Sequence, residues 1–449
     1  MEKKSKHAGM ALAVVLVIVA CICSAIGIVG VWSLDRGIRQ PRPTRQASTI
    51  ARTSIPGLIA YVGQDGNIYT MAADGGDRQA ITQNEPAEGG QYNSLAWSLD
   101  GQLAFMTSAD DESALFTVDP GGKPVRVYSG GAGTVPFYLY WSPDGQRIAF
   151  LTSSEEDRMA LWLADSHDDD SAQTIATGAP SYFSWSPDSQ SLLMHIGGAQ
   201  SVSSDARVAI FQTQPANTIK LPDAPGGFQA PAWAPDGQHF LLVRELENGN
   251  DELVLGQGDD RRVLASSRTG IVFNWSPQGN QVAFARPGSS ISLVYESVVV
   301  LDLDSQAQRV MARGSIVAFF WSPDGTRLAV LGIDESSRRP QGRAIPSRWQ
   351  AMPWPQSSEV RLTLSVIDVA DGTSLDFPSF RPTDSFLLLI PYFDQYAQSL
   401  SLWSPDSRYL VFADLDERAR PSVRVVDSTQ PWQPAQRLAE GTFAIWSWH

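Results

Sequence analysis

Three acidic runs are the first residues along this chain that could hold a metal ion: Asp110-Asp111-Glu112, Glu155-Glu156-Asp157 and Asp168-Asp169-Asp170. Calcium takes roughly six to eight oxygens, supplied by a loop of fixed spacing. None of the runs has the alternate-position acids, central glycine and terminal glutamate of such a loop, so they read as solvated connections between strands. Transition metals fare worse. His167, His195, His239 and His449 are scattered, and the only cysteines, Cys21 and Cys23, lie inside an apolar run. No Gly-x-Ser-x-Gly elbow marks a nucleophilic serine. The sequence therefore assigns no catalytic residue, no metal and no cofactor. A glycosidase or lyase would still need only two converging carboxylates, and convergence of residues so far apart is not visible in a sequence.

Two irregular stretches carry the residues best suited to binding. The first, ESSRRPQGRAIPSRWQAMPWPQSS at 335–358, is basic and aromatic; the second, RPTDSFLLLIPYFDQYAQS at 381–399, is apolar and aromatic. Arg338, Arg339, Arg343 and Arg348 would meet an anionic group, and Trp349, Trp354, Tyr392, Phe393 and Tyr396 would supply contact area. The plainer reading is that LLLIPYF tucks back as packing while the basic stretch stays in solvent.

What must position these residues is a repeat. Trp97, Trp141, Trp185, Trp233, Trp275, Trp321, Trp403 and Trp446 open the phrases WSLDG, WSPDG, WSPDS, WAPDG, WSPQG, WSPDG, WSPDS and WSWH, at intervals of 44, 44, 48, 42, 46, 82 and 43 residues. Such a period suits a four-stranded blade rather than a helical solenoid. In the second repeat FYLYWS, QRIAFLTS, ALWLAD and AQTIATG read as four strands, with Pro143-Asp144-Gly145 as a turn. The tryptophans, once per blade, read as structural aromatics between stacked sheets. GLIAYV, GNIYTMAA and DRQAIT near the amino end lack a tryptophan strand, which residues 441–449 supply. Together they predict a composite closing blade. The 82-residue interval leaves room for a ninth blade, but without a second tryptophan turn it reads as an insertion. The stretch 335–358 then lies between the second and third strands of the blade opened by Trp321, and 381–399 between its fourth strand and the next blade. Both connections should open on one face of the ring.

These phrases resemble the TolB-type, WD-like (PD40) β-propeller repeats, whose hallmark is W-S-P-D-G followed by an apolar strand such as Gln146-Arg147-Ile148-Ala149-Phe150. The resemblance covers about residues 57–449. It implies an all-β fold, a β-propeller of about eight four-stranded blades, and is weak for function because propellers host unrelated activities. The chain departs from TolB, which carries an α/β domain ahead of its propeller. It departs from prolyl-oligopeptidase-type peptidases, which add a hydrolase domain, and from the sialidase Asp box, since Asp144 and Gly145 are adjacent.

Ahead of the repeats the composition changes. A short basic tail, 1–7, precedes 27 uncharged residues at 8–34, including ALAVVLVIVACICSAIGIVGV. A helix of that length exceeds the roughly 30 Å hydrocarbon core and predicts one transmembrane span. A signal peptide would have a shorter apolar region. Ile18-Val19-Ala20-Cys21 also fits, loosely, cleavage and lipidation before cysteine. Residues 35–56, rich in Arg, Pro, Ser and Thr, read as a flexible stalk. Lys3, Lys4 and Lys6 precede the span while Arg36, Arg39, Arg42, Arg45 and Arg52 follow it, a balance that favours a cytoplasmic propeller. Long domains translocate largely regardless of charge, and the resemblance favours an extracytoplasmic one. The expectation is a single-pass protein with an extracytoplasmic propeller. Setting aside the eight basic and two acidic residues of 1–52 leaves 26 basic against 46 acidic, which excludes nucleic acid as a partner. Two functions remain. One is a membrane-anchored, non-catalytic binding or scaffold module for a protein, peptide or cell-envelope component; the other is a glycan-directed hydrolase or lyase with its site in the central channel.

Overall fold

The computed structural model describes residues 55–83, 91–108, 112–131, 133–154, 158–198, 204–227, 229–289, 293–337 and 360–449. Its unit is visible in the second repeat, where Pro136–Trp141, Arg147–Ser154, Arg158–Asp165 and Gln173–Gly178 form one antiparallel sheet in chain order. The turn between the first two strands explains the WSPDG phrase. Ser142 N donates to Arg147 O (2.8 Å) and Gly145 N to Ser142 O (2.9 Å). The Ser142 hydroxyl donates to Asp144 Oδ1 (2.6 Å) and accepts from Arg147 N (2.9 Å), so one serine satisfies both arms of the hairpin. Gly145 sits at φ 69°, the left-handed region where a Cβ is costly. The same serine-to-aspartate bond recurs at Ser98, Ser186, Ser322 and Ser404.

The tryptophans tie one repeat to the one before. Trp141 Nε1 donates to Ala96 O (3.0 Å), Trp185 to Tyr140 O (3.1 Å), Trp275 to Ala232 O (3.3 Å), Trp321 to Asn274 O (3.3 Å) and Trp403 to Phe320 O (3.2 Å). Each acceptor is the residue just before the preceding repeat's tryptophan, so the indole both fills the gap between sheets and fixes their offset. Trp446 donates instead to Pro56 O (3.1 Å). Trp97 and Trp233 have no Nε1 partner among the described residues. In two repeats serine replaces the turn glycine, and it too is a link. Ser189 (φ 62°) and Ser407 (φ 61°) accept through their hydroxyls from Asp144 N (3.0 Å) and Asp324 N (2.9 Å) of neighbouring repeats. Trp185→Phe keeps most of the ring's packing but leaves Tyr140 O without its donor. We expect a loss of about 1–3 kcal/mol, read as a lower urea midpoint at unchanged slope.

Four-stranded sheets span residues 91–131, 136–178, 181–220 and 232–267. The fifth and sixth repeats depart from the expected separate blades. One strand, Gln308–Trp321, is the outer strand of the fifth and continues as the inner strand of the sixth, giving a seven-stranded sheet over 272–380. Its first part pairs with Tyr295–Asp302 and its second with Arg327–Ile333, and register shifts flank Gly314, whose φ of 134° lets the strand bend without ending. The strands Arg327–Ile333, Leu362–Asp368 and Ser374–Phe380 complete that repeat, so the strands described in the 82-residue interval belong to one repeat. A three-stranded sheet, 409–439, is joined to Trp403 by a single bridge to Leu410. Gly441–Trp446 pairs with Leu58–Gly63 to form the composite sheet, in the register Ile59↔Trp446 to Val62↔Phe443. Each sheet is open; none curls into a barrel of its own.

Apolar clusters lie between successive sheets, as when Ala104, Met106 and Leu115 meet Leu139, Trp141 and Phe150. The composite sheet packs Ile59 and Met71 on Val411 and Val423 to one side, and Val62 and Ile68 near Leu95, Trp97 and Leu103 to the other. Burial shared between neighbouring sheets in this way is the packing of a β-propeller. The expected span at 8–34 lies outside the described residues, among which no helix is long and apolar enough to cross a membrane.

Candidate functional site

The connection 381–400 does not form an irregular lid. Thr383 caps a short helix, Asp384–Leu389, by accepting from Phe386 N (3.3 Å), and a 3-10 turn follows at Ile390–Tyr392. The segment then runs inside the ring of inner strands. Thr383 donates to Thr442 O of the composite sheet. Phe393 packs at a tilt against Phe319 (4.5 Å between centroids), with Phe320 and Tyr295 edge-on at 6.0 and 6.1 Å. Tyr396 meets Tyr138 edge-on at 5.3 Å, Tyr140 donates its hydroxyl to Gln395 O, and Gln398 Nε2 donates to Ser184 Oγ (3.0 Å). Leu389 and Leu400 line a small cavity with Ser94, Leu95, Leu139 and Phe443. One segment thus touches inner strands of five repeats and fills the space they enclose.

Its effect on the wall is visible in the backbone. Ser94 (φ 51°) and Tyr138 (φ 58°) occupy the same place in two repeats, three residues before the tryptophan, and both lie at register shifts of their strands. A bulky residue is rarely left-handed, and here the bulges turn these two positions towards the segment.

At the centre is Asp394, 8% exposed. Burial pushes its carboxyl up to about 7, against hydrogen bonds from the backbone N–H groups of Asp394 and Gln395. Its charge is felt by Tyr138, Tyr140, Tyr182 and Tyr295, and burial raises all four phenols. His195 lies behind Tyr182, with ring centroids 5.6 Å apart, and burial lowers it to about 4, so it is neutral.

Of the binding residues expected from sequence, Phe393 is fully buried and belongs to the core, while Tyr392 and Tyr396 are part-buried on the same segment. Arg338, Arg339, Arg343, Arg348, Trp349 and Trp354 lie outside the described residues. That stretch leaves the ring after Glu335–Ser337, where Glu335 accepts from Ser315 Oγ (2.5 Å) at the rim of a groove of about 470 Å³. Of the acidic runs, Asp168–Asp170 is an exposed turn in which Asp170 accepts from Ser129 Oγ (2.7 Å) and pairs with Arg126 (3.4 Å); the other two lie largely outside the described residues. No group of three metal-ligating side chains converges among the described residues. Sequence reasoning missed Asp394 and the tyrosines facing it. The signal was an acid embedded in LLLIPYFDQY, and the pair Tyr138 and Tyr140 beside Trp141.

No family model matches the chain, and no curated protein matches it. Solved structures do. Dipeptidyl peptidase 4 from Porphyromonas gingivalis aligns at 12% identity over 85% of this chain and 57% of its own, with a TM-score of 0.53. Dihydro-heme d1 dehydrogenase NirN aligns at 14% identity over 90% of this chain and 76% of its own, with a TM-score of 0.52. A TolB described as putative, from Agrobacterium tumefaciens, aligns at 18% identity over 60% of this chain and 94% of its own, with a TM-score of 0.38. The sheets and their packing, with the first two likenesses, define the fold as a β-propeller. Proteins this different in activity share the fold, so function rests on the site.

Proposed function

We propose that this chain is a membrane-tethered β-propeller of eight blades, counting the seven-stranded sheet as two, that binds a protein, peptide or cell-envelope component and performs no chemistry of its own. The observation that carries this reading is the filled channel. Residues 384–400 occupy the space in which a propeller's central site would lie, and among the described residues the buried acid there, Asp394, acts on tyrosines rather than on a second carboxylate. A glycan-directed site would need two. The TolB-type repeat and the apolar run at 8–34 support a tethered, extracytoplasmic module.

Topology supports a direction for the binding face. Leu58–Gly63, the second strand of its sheet, begins beside Ser447, with Leu58 N donating to Ser447 Oγ (2.8 Å), so the stalk enters on the side of the tryptophan turns. Arg327–Ile333 is the second strand of the sixth repeat and ends on the opposite side, ahead of Glu335.

The test is affinity capture from detergent-solubilised host membranes, with the intact protein beside a version lacking residues 338–355. We expect a specific partner that is captured by the first and lost from the second while both melt at the same temperature. Equal capture by both overturns the assignment of the face, and turnover of a glycan by the intact protein overturns the non-catalytic reading.

A further inference from the structure

The segment that fills the ring is held by two kinds of contact. Phe386, Leu387, Ile390 and Phe393 are buried apolar anchors, and Thr383, Gln395 and Gln398 make the hydrogen bonds to the wall already described. Between them sits the buried Asp394, with no countercharge among the described residues. Among the described residues the phenols that feel the Asp394 charge are Tyr138 and Tyr140 of Pro136–Trp141, Tyr182 of Ser181–Trp185 and Tyr295 of Tyr295–Asp302; Tyr392 and Tyr396 lie two residues to either side on its own segment. Behind Tyr182, His195 is neutral, its ring bonded to backbone at Gly197 and Gln229. Among the described residues no arginine or lysine acts on Asp394.

An ionised carboxylate buried without a cation is costly, and the protein lowers that cost either by keeping the proton or by moving the group into water. Asp394 has a route to water, because it lies on a connection between two sheets rather than within a strand. The wall it leaves would also lose the segment that presses against the left-handed Ser94 and Tyr138. We propose that residues 384–400 are a proton-controlled plug: the segment is seated in the ring while Asp394 is neutral and loosens when Asp394 ionises, baring the tyrosine-lined wall. The plug is thus a regulatory element of the propeller, separate from the face that carries 335–358.

The sign follows from linkage. Asp394 titrates at about 7 when seated and near the ordinary 3.8 once in water. Seating is therefore strongest below about pH 4, weakens as the pH rises from there to about 7, and is constant above, where both states are ionised. Across that window the opening equilibrium rises by up to about tenfold per pH unit. The measurement is amide hydrogen exchange on the full chain between pH 5 and pH 8, corrected for intrinsic rates and read on peptides covering 384–400. We expect the corrected opening to climb by roughly tenfold per unit up to pH 7 and then level, while peptides from Arg147–Ser154 stay flat. Asp394→Asn is isosteric and always neutral, and should remove the climb. Tyr140→Phe removes one latch and should raise opening at every pH without changing the slope. A flat profile in the native chain overturns the proposal, and so does a slope that survives in Asp394→Asn. Should Asp394→Asn fail to fold, the native profile beside that of Tyr140→Phe still decides it.

Discussion

Phe393→Ala is expected to cost about 3–5 kcal/mol of stability, the range for deleting a buried phenylalanine from a packed site. The ring has no exposed surface and touches Phe319, Phe320 and Tyr295, three aromatics drawn from both halves of the seven-stranded sheet. Its removal leaves a cavity where the continuous strand Gln308–Trp321 faces the inside of the ring, and the strand's inner half cannot collapse inward without breaking its pairing with Arg327–Ile333. Urea unfolding followed by tryptophan fluorescence reads the loss as a lower midpoint. The result separates two roles for this side chain. A residue serving as contact surface for a partner would lose capture at unchanged stability, whereas a residue that seats the plug loses stability first. Tyr392, part-buried on the same turn, is the internal comparison, and Tyr392→Ala should cost clearly less.

How much of this was legible in the sequence differs between the repeat and the plug. The tryptophan spacing revealed the sheets because five of the eight indoles donate to a carbonyl one repeat back, a short-range rule that successive copies share. The phrase Ser-Pro-Asp-Gly is legible for the same reason, since serine, aspartate and glycine satisfy a turn among themselves. The fusion of the fifth and sixth repeats was not. Arg313-Gly314-Ser315 has the composition of a turn, and only the pairing partners on either side decide that the chain bends through it. The connection 381–399 was legible as an apolar insertion, with contact surface and packing over a blade edge as its two readings. Its destination was not legible. An apolar segment leaving an outer strand packs over a blade edge or drops into the ring depending on the width the ring leaves inside, which the spacing of the repeats does not encode. Asp394 was hidden for a further reason. The hydrogen bonds that flank it reach across 255 and 214 residues of chain, so nothing near it in sequence marks it as buried.

A chain stopped before Gly441 is expected to lose its compact form and to run on size exclusion as species larger than the intact protein. The strand Gly441–Trp446 does three things at once. It pairs along Leu58–Gly63, covering backbone groups that would otherwise form an open edge beside the buried side chains of Ile59 and Tyr61. Trp446, fully buried, exchanges hydrogen bonds with Ser401 of the preceding repeat, donating its N–H to Ser401 O (2.8 Å) and accepting from the Ser401 hydroxyl. Thr442 O receives the hydroxyl of Thr383 at the start of the plug. Losing the strand therefore uncovers an apolar edge, detaches two neighbouring sheets and frees one end of the segment that fills the ring. An unpaired apolar edge is a template for pairing with another chain, so the expected product is association rather than a smaller folded monomer. Trp446→Ala keeps the backbone pairing and removes only the indole, at about 3–5 kcal/mol, and should elute with the intact protein while melting lower. That contrast is the test. If the shortened chain elutes as a single species with the melting temperature of the intact one, the strand closes nothing, and the sheets hold together through their tryptophan links alone.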